Sequence, residues 1–270
     1  MDVAAYLARI GHEGPTRTDL ATLRAVHRAH LLAIPYENLD VQLGRPGGVA
    51  PEAAFEKLVF GGRGGWCYEM NGTLGLALEA MGFQVTRMAG AVLRWEFGAR
   101  THGNHLVLRV DLDDGPYIAD VGFGDGILEP TPLRAGAIRT AGYDFRLEQL
   151  GDGWWRFHNH PQGGAAYFDF VDAPAEPAQL AQTCHWLRTS PDSVFTQTVM
   201  MFRHRPDGVV GLLGRVLRRI YPDRKEDTVL PSAEAFMETL RDTFGVEAPQ
   251  AEALWPRICA KHDEVFAEKS

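Results

Sequence analysis

The chain has 270 residues, of which 45% are hydrophobic and 23% charged, enough apolar content for one large or two to three small globular units and too much for a disordered chain. Asp and Glu number 35 against 27 Lys and Arg, and the formal net charge of −8 makes nucleic acid and anionic lipid poor default partners. Three cysteines without a Cys-x-x-Cys pair argue against a disulfide framework or a zinc site, and no apolar run approaches the ~18 residues of a membrane span.

The N-terminus, MDVAAYLARIG, lacks the basic and then apolar regions of a secretory leader, so a cytoplasmic location is expected. Val3, Tyr6, Leu7 and Ile10 share one helical face. A second helix is predicted from the capping residues Thr16 to Asp19, carries Leu20, Leu23, His27, His30 and Leu31, and stops before Pro35. Pro51 opens a third, with Phe55, Leu58 and Val59 inward and Gly61-Gly62 at its end. A fourth starts at Cys67, buries Met70, Leu74, Ala77, Leu78 and Met81, and ends at Gly82.

From Phe83 to about Phe170 the period changes to that of strands: Phe83 to Thr86, Ala91 to Leu93, His105 to Leu112, Tyr117 to Val121, Trp154 to Phe157 and Tyr167 to Phe170. Asp113-Asp114-Gly115-Pro116 is a turn. Ala173 to Pro177 is a linker, and two helical stretches, Ser232 to Phe244 and about Pro249 to Ala267, close the chain. Between them, Arg203 to Lys225 carries seven basic and two acidic residues, net +5, which reads either as a patch for an anionic small molecule or as a solvated helix face plus a loop. Helices, then strands, then a mixed tail indicate an α+β fold.

Three residues combine into a reactive set. Cys67 sits in the first turn of its helix, where unpaired N–H groups and the helix dipole favour a thiolate, after a Gly64-Gly65 pair that lets the backbone approach a ligand closely. A nucleophilic thiol needs a base, and the base an orienting group. A two-residue turn at Asp113-Asp114 would pair Val107 with Asp120 and leave His105 diagonal to Asp120 on the same face, about 7–8 Å away between α-carbons. Taken singly, each of the three residues is more often an ordinary core or strand-end residue than a catalytic one.

RGGWCYEMN (Arg63–Asn71) resembles the active-site signature of the arylamine N-acetyltransferase family. NHLVLRV (Asn104–Val110) and YIADVGFG (Tyr117–Gly124) resemble its histidine and aspartate motifs, IPYENLDVQLG (Ile34–Gly44) its N-terminal signature, and HWLRTSPDSVFTQ (His185–Gln197) the start of its C-terminal part. The matches are co-linear and run from about residue 6 to about residue 210; Trp66 stands where the family more often has a smaller aromatic.

The resemblance implies a thiol-protease-like core in three parts: a helical bundle over residues 1–82 with the nucleophile, a β-barrel over 83–177 with the histidine and aspartate, and an α/β lid over 178–270. It implies Cys67 as nucleophile, His105 as base, Asp120 as orienting carboxylate, acetyl-CoA as co-substrate without a metal, and small aromatic amines or hydrazines as acceptors. Tyr36, Tyr68, Phe123 and Phe195 lie in the matched segments as candidate walls of an aromatic slot or as core residues. The N–H groups around Gly124 and Gly126, in Gly122-Phe123-Gly124-Asp125-Gly126, are candidates for cradling the CoA phosphates. Arg63 and Glu69 read as structural partners of the nucleophile. The oligomeric state is left open, a homodimer included. An amide synthase or protease-like enzyme on the same scaffold, and a non-catalytic CoA or aromatic-ligand module, remain as alternatives.

Overall fold

The computed structural model describes residues 1–267, with side chains through Glu264. The first helix, α1 (Val3–Ile10), begins where the Asp2 carboxylate accepts the Ala5 N–H at 2.9 Å and ends at Gly11 in the left-handed region. In α2 (Leu20–Ala33), Asp19 caps the Thr22 N–H at 2.8 Å. A two-residue strand β1 (Tyr36–Glu37) and a short α3 (Leu39–Gln42) follow. The predicted third helix is α4 (Pro51–Phe55) only as far as Phe55; Glu56–Phe60 is a wide π turn, closed by Gly61 N–H on Glu56 O, which keeps Leu58 and Val59 buried and leaves Phe60 outside. The fourth helix, α5 (Cys67–Ala80), packs its Met70, Leu74, Ala77 and Leu78 against Tyr6, Leu23, Val26 and Leu58 in one core.

The central part is an antiparallel sheet built from β2 (Gln84–Val92), β3 (His105–Leu112), β4 (Gly115–Ala119), β5 (Thr131–Pro132), β6 (Gly136–Thr140), β7 (Tyr143–Gln149), β8 (Trp154–His158) and β9 (Tyr167–Val171), in spatial order β5-β4-β3-β2-β9-β8-β7-β6. A short helix, α6 (Arg94–Phe97), interrupts the passage from β2 to β3. Met88, Val107 and Ile118 from one half of the sheet meet Phe145, Leu147, Phe157 and Phe168 from the other in a single cluster, so the sheet curls around its own core as a barrel does. Two segments expected as separate strands, Phe83–Thr86 and Ala91–Leu93, are one strand, because Thr86 through Ala89 stay paired with β3. Leu108 lies opposite Ala119, Val110 opposite Tyr117 and Leu112 opposite Gly115, which is the register of a turn at Asp113-Asp114.

The C-terminal part holds α7 (Pro177–Thr189), α8 (Val194–Gln197), four strands β10 (Met200–Arg205), β11 (Gly208–Leu213), β12 (Val216–Ile220) and β13 (Lys225–Val229), then α9 (Ala233–Glu238) and α10 (Trp255–Ala267). A π turn extends α9 to Thr243 and a 3₁₀ turn, Pro249–Leu254, precedes α10, so neither of the two predicted C-terminal helices is α-helical throughout. The sheet order is β1-β10-β11-β12-β13: residues 36–37 provide the edge strand of the C-terminal sheet. Asn38 fastens that join, donating to Thr198 O and accepting from Met200 N–H, each at 2.8 Å.

The basic stretch from Arg203 to Lys225 is neither a helix face nor a free cationic patch. It forms strands, and most of its guanidinium groups are already engaged. Arg203 donates to Leu32 O and Phe244 O, Arg205 to Thr243 O and Arg215 to Leu230 O, while Arg218 forks onto Asp227 and Arg224 pairs with Glu226. No helix among the described residues is long and apolar enough to cross a membrane.

Candidate active site

The glycines before Cys67 have a packing reason. A β-carbon on Gly64 would sit 2.1 Å from Pro35 O, and one on Gly65 would sit 2.7 Å from Glu69 Cβ. The close approach read from the sequence is therefore made to the protein's own backbone and to Glu69. Glu69 accepts the Trp66 N–H at 3.3 Å and the Lys57 ammonium at 2.9 Å. Arg63 pairs with Glu37 at 2.6 Å and Asp40 at 3.3 Å, and Lys57 reaches Asp40 at 2.8 Å. This partly buried network of two cations and three carboxylates fixes the approach to α5, which agrees with reading Arg63 and Glu69 as structural.

Cys67 is 2% exposed. Its thiol points toward Asn104 O at 3.8 Å, the residue before His105. Gly122, two residues after Asp120, lies over the start of α5: a β-carbon there would be 2.8 Å from Cys67 Cα. The thiol is pushed up from its ordinary value by burial, opposed by the backbone N–H groups of Leu106 and Tyr68. Sequence reasoning expected the helix terminus to lower it; loss of water around the sulfur is the larger effect.

The imidazole and carboxylate are joined. His105 Nε2 lies 2.8 Å from Asp120 Oδ2, and both residues are buried. A carboxylate only accepts, so Nε2 carries a proton and Nδ1 is the nitrogen turned away from Asp120. Two phenylalanine rings bracket the imidazole, Phe123 at 5.6 Å and Phe168 at 4.9 Å between centroids. Burial pushes the Asp120 carboxyl up, but His105, the Asn71 amide and the Gly122 N–H together hold it below the ordinary carboxylate range.

Two residues that complete this arrangement had no assigned role in the sequence reading. Asn71, one turn along α5 from Cys67, donates to Leu106 O at 2.6 Å and Asp120 Oδ1 at 2.8 Å and accepts the Val121 N–H at 2.9 Å. His27 of α2 accepts the Asp120 N–H on Nε2 at 3.0 Å and meets Leu128 O through Nδ1 at 3.0 Å; burial lowers its pKa to about 4, so it is neutral. Asn71→Leu, near in volume, should cost about 2–3 kcal/mol, because it strands buried donors and acceptors on β3 and the Asp120 loop. Urea unfolding checks this; an unchanged midpoint would mean that those groups find other partners.

The remaining predicted residues divide. Tyr68 is buried, meets the Trp66 ring edge-on at 5.0 Å and donates its hydroxyl to Gly103 O. Tyr36 meets Phe202 edge-on at 6.0 Å, and Phe195 meets Trp66 at 5.0 Å. Phe195 also lines a cavity of about 240 Å³ whose walls include Val92, Leu93, Phe97, Thr101, Asn104 and Trp186. Gly124 and Gly126 are buried: β-carbons there would touch Phe202 at 2.9 Å and Phe123 at 3.2 Å. Their loop is pinned from within by Asp125, which accepts from Asn159 at 3.0 Å and from the Gly164 N–H at 2.7 Å. Packing thus explains both glycines. Phe202, which sequence reasoning passed over, joins Tyr36 to this loop. Among the described residues, no group of three or more His, Cys, Asp or Glu side chains is arranged to hold a metal ion.

Comparison with known proteins adds to this geometry. The N-acetyltransferase family profile matches residues 19–253. The arylamine N-acetyltransferase of Mycolicibacterium smegmatis is 35% identical over 256 residues, covering 92% of each chain. The arylamine N-acetyltransferase / N-hydroxyarylamine O-acetyltransferase of Salmonella typhimurium is 35% identical over 250 residues, covering 90% of this chain and 88% of its own. The solved structure of Mycobacterium marinum arylamine N-acetyltransferase in complex with CoA superposes with a TM-score of 0.87 at 32% identity, over 98% of this chain and 99% of that one. With the family profile matched over residues 19–253 and relatives 35% identical over at least 90% of this chain, the chain belongs to the arylamine N-acetyltransferase family.

Proposed function

We propose that the protein moves an acetyl group from acetyl-CoA to arylamines, arylhydrazines or N-hydroxyarylamines by a ping-pong mechanism with an acetyl-Cys67 intermediate. The observation that carries the reading is the buried His105–Asp120 pair at 2.8 Å, built beside the N-terminus of the helix that Cys67 opens. Family membership and the substrates in the relatives' names supply the acyl donor and acceptor classes.

His105 Nδ1 takes the proton of the Cys67 thiol, and the thiolate attacks the thioester carbon. The tetrahedral adduct collapses with release of the CoA thiol, which recovers the proton from the imidazolium. One thioester replaces another, and the acetyl group remains activated. A neutral aromatic amine, unprotonated at pH 7, then attacks acetyl-Cys67; His105 accepts its proton and the cysteine thiolate leaves. Asp120 holds the ring with Nδ1 free throughout. Neither half-reaction requires a metal.

The 240 Å³ cavity is the route by which we expect the thioester arm to arrive, since Asn104 on its wall carries the carbonyl that faces the Cys67 thiol. Phe195 borders that route and Phe123 flanks the imidazole; Tyr36, packed on Phe202, and Tyr68, packed on Trp66, are the further aromatic contacts we expect for the acceptor. The three cysteines are free, as a reducing cytoplasm would keep them. Initial rates at several fixed acceptor concentrations should give parallel double-reciprocal lines against acetyl-CoA. Intersecting lines would indicate a ternary complex and remove the covalent intermediate.

A further inference from the structure

One wall of the 240 Å³ cavity is the segment from Val92 to Asn104, and the opposite wall is Trp186 to Phe195 of the C-terminal part. The width of the mouth is therefore set by where the Val92–Asn104 segment is held. That segment is anchored by an ionic and aromatic lattice outside the catalytic set. Asp169 of β9, 0% exposed, accepts from Arg156 at 2.7 and 2.9 Å and from Arg94 at 2.8 Å, so one buried carboxylate joins the sheet to the start of α6. The Arg94 guanidinium lies 4.0 Å over Trp154. The Arg156 guanidinium lies between Trp95 at 4.1 Å and Tyr167 at 3.8 Å. Tyr167 Oη accepts the Trp95 N–H at 3.0 Å and donates to the Glu96 carboxylate.

The lattice accounts for two otherwise costly features. Trp95 is 70% exposed, yet its ring is used against a cation. Leu93 has φ +56°, a left-handed conformation that a non-glycine residue holds only when its surroundings impose it. The strained residue and the exposed ring both lie where the chain turns from β2 into the cavity wall. A forked, desolvated carboxylate shared by two arginines fixes position more than it adds stability.

We propose that Asp169, Arg94, Arg156 and Trp95 form a positioning device that sets the mouth of the acyl-donor channel, so that they govern donor binding and not the chemistry at Cys67. This rests on the cavity being the donor route, as above. Arg94 is 27% exposed and Trp95 more so, so Arg94→Met and Trp95→Ala leave Asp169 still paired with Arg156 and should fold.

The expected result for both variants is a KM for acetyl-CoA raised about tenfold, kcat within twofold, and an unchanged rate of Cys67 alkylation by iodoacetamide, which is too small to sense the mouth. Arg94→Lys, which keeps the charge but not the fork, should fall between the parent and Arg94→Met. An unchanged KM, or a kcat and an alkylation rate that fall in step with it, would overturn the proposal. The parent protein, tested first for acetylation of Cys67 by acetyl-CoA, separates failure of this proposal from failure of the catalytic assignment.

Discussion

Cys67→Ala should lower acetyl transfer by a factor on the order of 10⁴ or more, since no other group in the site can carry the acyl chain. The loss should be confined to turnover. The side chain is buried beside Gly122 and Asn104, and removing one sulfur atom there costs about 1 kcal/mol of burial, small against the core around α5. Circular dichroism and thermal unfolding near those of the parent, with acetyl transfer at background, are the expected pair of results. Turnover within tenfold of the parent would remove Cys67 from the mechanism.

Asp120→Asn should lower the rate by about 10³–10⁴-fold, through the tautomer of His105. In the parent, Asp120 Oδ1 accepts from both Asn71 and the Gly122 N–H, and Oδ2 receives the imidazole Nε2–H. An asparagine must turn its single carbonyl oxygen toward the two donors, which leaves its NH₂ against Nε2. The ring then presents Nε2 as acceptor and carries its proton on Nδ1, the nitrogen required to be free. The substitution should also change stability with pH. The folded carboxyl lies below its ordinary value, so the aspartate contributes stability that is fully present above the unfolded value of 3.8 and is lost as pH falls through the folded pKa. Midpoints of the two proteins should therefore differ at pH 7 and converge in acid. Equal rates at saturating substrates would show that Asp120 does not set the tautomer.

Elements were legible in the sequence where a single local rule decides them. Asp19 caps α2, Pro35 ends it, and Asp113-Asp114 sets the β3–β4 register on which the His105–Asp120 meeting depends. Elements that depend on distant partners were not. The β7 segment alternates buried and exposed, but charged residues fill its outer face and its pairing strand β6 has Ile138 as its only large apolar residue. Strand β10 carries Arg203 and Arg205, whose partners are the carbonyls of Leu32 in α2 and of Thr243 and Phe244 beyond α9, so their charge resembled a free patch. In the site, the three reactive residue types were visible with their spacing. Asn71 and His27 were not, because their importance lies in backbone groups of Asp120, Val121 and Leu128 that no side-chain pattern reveals. The thiol shows the same division: the helix terminus is a local feature, whereas the burial that pushes the thiol up is contributed by Leu106, Gly122 and the C-terminal part together.

The most direct measurement is the intact mass of the protein after brief incubation with acetyl-CoA alone, followed by peptide mapping and then by addition of an arylamine. A single acetyl group on Cys67, absent from His105→Ala and discharged by the amine, is the predicted outcome. No acetylated protein under conditions of full turnover, or an acetyl group on another residue that the amine discharges at the turnover rate, would contradict it.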